Sequence, residues 1–127
     1  MTKSWAFLLL LGSLLCAPGQ KSKFELEVVT AEVHRENDQI AVDGTLKNIG
    51  EKPLEGVQVI LDFLSSDKRT VTKRKGLLDT PLLAAGEEAS FRFAMADDPR
   101  AVLVRIEAAD RNSFELRVSN SGPFPVP

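Results

Sequence analysis

The residues of this chain that could do chemistry are few and far apart. His34 is the only histidine and Cys16 the only cysteine. One imidazole, flanked by Arg35 and Glu36, lacks the further donors of a zinc cage, so His34 reads as an exposed turn residue at a strand end. Asp97 and Asp98 stand together before Pro99. Calcium asks for roughly six or more oxygens, and no Asp-x-Asp-x-Asp-Gly loop is present, so this pair reads as turn chemistry. A nucleophilic Ser or Thr would need a base and an orienting acid, and His34 is the only conventional base. No nucleophile elbow occurs. The 18 Asp and Glu residues leave a glycosidase-type carboxylate pair open, although such enzymes usually grip sugar with aromatic side chains. The expectation is a chain without catalytic, metal or cofactor residues.

One charge feature stands out. Lys68, Arg69, Lys73, Arg74 and Lys75 form the densest basic run. Lysines on an exposed edge strand ordinarily prevent edge-to-edge aggregation, and that is the plain reading. The functional reading is an electrostatic contact for an anionic surface polymer, lipid headgroup or acidic partner, made by Arg69, Lys73, Arg74 and Lys75. Ionic strength separates a charge-driven contact, which salt weakens, from strand addition, which rests on backbone pairing.

These residues need a context, and the N-terminus supplies one. Lys3, the apolar run Trp5–Leu15 and the small residues of Ala17-Pro18-Gly19 form the pattern of a cleavable secretory leader over residues 1–19. An eleven-residue run falls short of the roughly 20 residues that span a bilayer. The mature chain is therefore expected to have no transmembrane span and to work in the periplasm or the medium. Large Leu15 before Cys16 argues against a lipidated cysteine. Cleavage at Gly19 would remove the only cysteine, the only tryptophan and Lys3, leaving 108 residues with 15 basic against 18 acidic side chains, a formal charge of −3. An exported domain of that size without disulfides points to a bacterial envelope or extracellular setting. Acidic balance and the absence of tyrosine argue against nucleic acid as a partner.

The elements that must position these residues are strands. Phe24, Leu26 and Val28 alternate on one face, then parity changes to Val29, Ala31 and Val33, which predicts a bulge near Val28-Val29. Ile40–Leu46, Val57–Phe63, the short edge strand Thr70–Lys75, Ala89–Phe93, Val102–Ala108 and Phe114–Val118 follow, separated by Gly, Pro, Asn and Asp turns. Leu77-Leu78 and Pro81-Leu82-Leu83 fit no period. About seven strands without helical periodicity predict an all-β, antiparallel sandwich of immunoglobulin or fibronectin type over residues 20–119, with a flexible proline-containing tail over 120–127.

Three stretches together resemble the FxLYD domain, a family of bacterial exported Ig-like modules. Asp43–Leu54, reading DGTLKNIGEKPL, is similar to that family's G-x-V-K-N-x-G-x-x-P strand and turn. Gly56–Phe63 leading into Ser65-Ser66-Asp67-Lys68 is similar to its aromatic-rich strand and polar turn. Leu82–Phe91 is similar to its L-x-P-G-E-x-x-x-F. Where the naming motif would stand, this chain has Leu61-Asp62-Phe63-Leu64-Ser65. CARDB adhesion modules share the Asn-x-Gly signature. Either resemblance implies a noncatalytic extracellular module with no active-site residues to carry over.

The expected function is an exported, noncatalytic Ig-like module that binds a protein or anionic component of the envelope through the edge near Thr70–Lys75. A structural spacer or accessory subunit is the alternative, and an unrecognised hydrolase a third reading.

Overall fold

A computed structural model of the chain describes residues 24–127. The leader expected over Met1–Gly19, with Trp5 and Cys16, lies outside the described residues.

Alternation builds strands here because each element buries one face. The chain runs β1 (Leu26–Glu36), β2 (Gln39–Asn48), β3 (Leu54–Glu55), β4 (Gln58–Leu64), β5 (Thr70–Leu77), β6 (Leu82–Leu83), β7 (Glu88–Ala96), β8 (Leu103–Ala109), β9 (Glu115–Leu116), β10 (Val118–Ser119) and β11 (Phe124–Pro125). One sheet has the order β10-β1-β2-β7. The other has the order β11-β8-β4-β5, with β9 also on β8, and β3 pairs β6 separately. Every pair is antiparallel except β1 with β10. Leu26, Val28, Ile40, Val42 and Leu46 of the first sheet and Val59, Leu61, Phe63, Val104 and Ile106 of the second share one buried core. The fold is an all-β sandwich.

The parity change in β1 is a bulge. Val28 pairs Leu46 and Thr30 pairs Thr45, so Val29 has no partner in the ladder and points outward. β1 stays in one sheet through the bulge. Expected as one strand from Phe114 to Val118, the chain instead leaves β8 after β9 and joins β1 as β10. Arg117 is the pivot: its carbonyl accepts from the amides of Glu25 and Leu26, and its own amide donates to Glu25 Oε1 at 2.8 Å. Phe114, ahead of the switch, is 68% exposed.

The tail is also part of the sandwich. Residues 120–127 were expected to leave the domain, yet Phe124 pairs Val104 and Pro125 pairs Leu103 as β11. Val126 is buried, and its amide donates to Val102 O at 2.9 Å. β8 has an open side there, and the apolar Phe124 and Val126 fill it, which outweighs the proline content that suggested an extended end.

Asn48 closes β2 and explains the Asn-x-Gly-x-x-Pro signature. It is fully buried. Its Nδ2 donates to Lys52 O at 2.8 Å and Leu83 O at 2.9 Å, while Oδ1 accepts from Gly50 N at 3.0 Å. One amide thus ties the turn after β2 to β6, which places Leu82–Leu83, the segment without a period, as a short strand.

Two glycines make room for phenylalanine rings, one within a sheet and one between the sheets. A Cβ on Gly44 would stand 2.6 Å from the Phe91 ring. On Gly76 it would overlap the ring of Phe93. Gly76 lies on β5 and Phe93 on β7, so this contact brings the two sheet edges together.

Candidate interaction site

β5 ends the second sheet and pairs only β4, as an edge strand should. Its preceding turn is built by Ser65, whose amide donates to Arg69 O and whose carbonyl accepts from Lys68 N, both at 2.8 Å. Lys68 takes a positive φ of 67° there. Arg69 belongs to this turn, where its Nε stands 3.4 Å from Asp67 Oδ2.

Register decides where the remaining cations point. Lys73 stands opposite Asp62, Arg74 opposite Leu61 and Lys75 opposite Ile60. Directly paired side chains share a face, so Lys73 and Lys75 lie on the outer face, whereas Arg74 lies on the inner side at the sheet margin, in line with Thr72 and Gly76. The basic run of the sequence is therefore not one patch. It divides into an outward pair, an arginine on the other face and a turn residue.

The outward pair sits in a charged mosaic. Asp62 is only 5% exposed. Its Oδ1 accepts from Thr70 Oγ1 at 2.9 Å and its Oδ2 lies 3.8 Å from Arg105 Nη1. Lys73 Nζ lies 3.9 Å from Glu107 Oε1, and the Lys73 side chain is half exposed. Pairs this open contribute little, about 0–1 kcal/mol. Arg74 and Lys75 have no ion pair among the described residues. Lys73, Lys75 and Arg105 alternate on this face with Asp62, Glu107 and, farther along, Glu115, so the cations gather at the β5 margin.

Backbone direction adds to the picture. Leu78 N donates to Val57 O at 3.0 Å. Hydrogen-bonded and non-bonded pairs alternate in an antiparallel ladder, so Thr72, Arg74 and Gly76 turn their backbone groups toward β4. Those of Lys73, Lys75 and Leu77 face outward. Each lysine therefore guards its own open N–H and C=O.

The other sequence candidates resolve differently. His34, expected in a turn, lies within β1 opposite Ala41, with Nε2 3.6 Å from Glu32 Oε1 and 3.9 Å from Asp43 Oδ2. The hairpin turn is only Asn37-Asp38, both at positive φ, 54° and 60°, as a two-residue turn between twisted strands requires. Asp97 and Asp98 diverge. Asp97 Oδ1 is 3.1 Å from Arg35 Nη1, and the other Arg35 amino group donates to Ala101 O. Asp98 is held by Arg100, whose Nη2 lies 2.8 Å from Oδ2 and whose amide donates to Oδ1 at 3.0 Å. The side-chain bond from Arg100, followed by the backbone bond, lowers the Asp98 pKa to about 2.

Among the described residues no three His, Cys, Asp or Glu side chains gather to hold a metal. No helix there is long and apolar enough to cross a membrane. A shallow groove of about 570 Å³ on the first sheet is lined by hydroxyls of Thr30, Thr45 and Ser90, and by Asp43 and Arg92. Arg92 Nη1 donates to Asp43 Oδ2 at 2.6 Å, so these charges are already engaged with each other.

No known family profile matches the chain, and no curated protein matches it in sequence. Solved structures do. The C-terminal domain of Wzt is 10% identical over 80% of this chain and 78% of that one, with a TM-score of 0.52. IrmA from Escherichia coli is 13% identical over 80% and 82%, with a TM-score of 0.46. The putative ApaA protein from Bordetella pertussis is 17% identical over 85% and 93%, also at 0.46. At such identities the likeness is one of fold.

Proposed function

We propose that the chain is an exported, noncatalytic Ig-like binding module whose contact is the outer face of the β5 edge, and that it takes an anionic protein or surface component of a bacterial envelope. The observation that carries this reading is the open position of β5: Lys73 and Lys75 share one solvent-facing side of a strand that pairs only β4 among the described residues. The resemblance of Asp43–Leu54 and Leu82–Phe91 to exported Ig-like modules supports it, as does the secretory pattern of residues 1–19.

Lysines flanking the outward backbone groups oppose strand addition, so the contact is electrostatic. Reversing Lys73 and Lys75 together to Glu should abolish capture of the partner from native envelope and medium fractions at low salt. Stability should fall by only about 1 kcal/mol, because Lys73→Glu sets a carboxylate opposite Asp62 and beside Glu107. Arg74→Glu, on the other face, should have the smaller effect. An unchanged set of captured components, or binding indifferent to salt, overturns the site.

The spacer reading draws on the shape and termini of the domain. Removing residues 121–127 cannot test it cleanly, because that segment carries buried Val126 and the β11 pairing.

A further inference from the structure

The first sheet also ends in an open strand, β7, which pairs only β2. Two hydrogen bonds bracket that ladder: Asn48 N donates to Glu87 O, and Asp97 N to Asp38 O, each at 3.0 Å. Alternation between them turns the odd-numbered residues toward β2. The backbone N–H and C=O of Glu88, Ser90, Arg92, Ala94 and Ala96 point away. No backbone partner for these groups exists among the described residues.

The only charged side chains on β7, Glu88 and Arg92, are opposite in sign and thus do not repel a second copy in every register. β7 pairs β2 over nine consecutive positions without a bulge. It contains no proline and no lysine. A long, regular, open edge is a template for another strand.

We infer that β7 pairs antiparallel with β7 of a second copy of this chain, about a two-fold axis at Ser90. In that register Glu88 of each copy faces Arg92 of the other, Ser90 faces Ser90, and Ala89 faces Phe91; Arg92 keeps Asp43 on its β2 side through Nη1, so the second copy's Glu88 would approach the guanidinium from the opposite side. The bonding positions, Glu88, Ser90 and Arg92, are the ones whose backbone groups are open. Opposite charges directly across a ladder favour it and like charges oppose it. An axis at Arg92 would set Arg92 against Arg92, and one at Phe91 would set Glu88 against Ala94, without an ion pair. Charge complementarity thus selects both the occupant and the register, independently of any contact at β5.

The test is sedimentation of the full chain over a concentration series reaching about 1 mM, the weak end of specific affinity. Dimer should form. Glu88→Arg or Arg92→Glu alone should each weaken it about tenfold or more, since two attractive pairs become repulsive. The double exchange, Glu88→Arg with Arg92→Glu, should restore it. Ser90→Pro removes an outward N–H without breaking the β2 ladder, and should abolish the dimer while the monomer stays folded by circular dichroism. A monomer throughout the series overturns the inference. So does a dimer that the single exchanges leave unchanged, or one that the double exchange fails to recover.

Discussion

β5 and β7 lie beside each other, joined where Phe93 covers Gly76, and each leaves one row of backbone groups open. They treat that exposure differently. On β5 two of the outward positions carry Lys73 and Lys75. On β7 the outward positions are Glu88, Ser90, Arg92, Ala94 and Ala96, and Arg92 is drawn onto Asp43. Two cations of like sign repel a strand that would add beside β5, whereas the outward charges of β7, Glu88 and Arg92, are opposite in sign and stand among small side chains. The two proposed contacts follow this difference, one through charge and one through backbone pairing.

The largest effect on this contrast should come from Asn48, whose backbone N–H donates to Glu87 O and whose carbonyl accepts from Gly86 N where β7 begins, while its side-chain Nδ2 donates to Lys52 O and Leu83 O. Asn48→Asp turns a donor that serves two carbonyls into an acceptor facing them, and should cost about 3 kcal/mol or more in denaturant unfolding. Next is the joint between the edges. Gly76→Val should cost about 1–3 kcal/mol through overlap with Phe93, and much less in a Phe93→Ala background, so a double-mutant cycle reads the coupling directly.

A smaller change in stability, within about 0.5 kcal/mol, is expected when Lys73 and Lys75 are both replaced by Thr. Light scattering should nevertheless rise as β5 loses its two outward cations. Constant scattering would show that the lysines are not its defence. The smallest effect lies away from both edges. Arg100→Ala should move the Asp98 titration, followed by NMR, from about 2 toward the ordinary 3.8. Because the folded pKa is the lower one, the stability linked to Asp98 is present above pH 3.8 and lost as pH falls toward 2. Any stability difference between the wild type and Arg100→Ala should close over that interval.

Much of this was legible before any coordinates. Alternation placed the long strands, the parity change found the bulge at Val29, and the lysine-rich segment marked an edge. Leu82–Leu83 was not legible, because a two-residue strand has no period and is held by Asn48 from another turn. Arg117 was missed for a related reason: a strand that changes sheets keeps its alternation while its partners change. Asp62 did leave a trace, as a carboxylate between Leu61 and Phe63, yet its pairing with Thr70 and its nearness to Arg105 follow from register. The basic run misled most, since neighbours in sequence on a strand point to opposite faces.

By itself the sequence determined the class of fold, because a period of two can bury its apolar face only in a sheet, and seven such segments require a second sheet to cover the first. Tertiary structure alone decided which strands end the sheets, which backbone groups remain open there, and which cations share a face. Those depend on pairing between residues far apart in the chain, and hydrogen bonding across a ladder carries no mark in local composition.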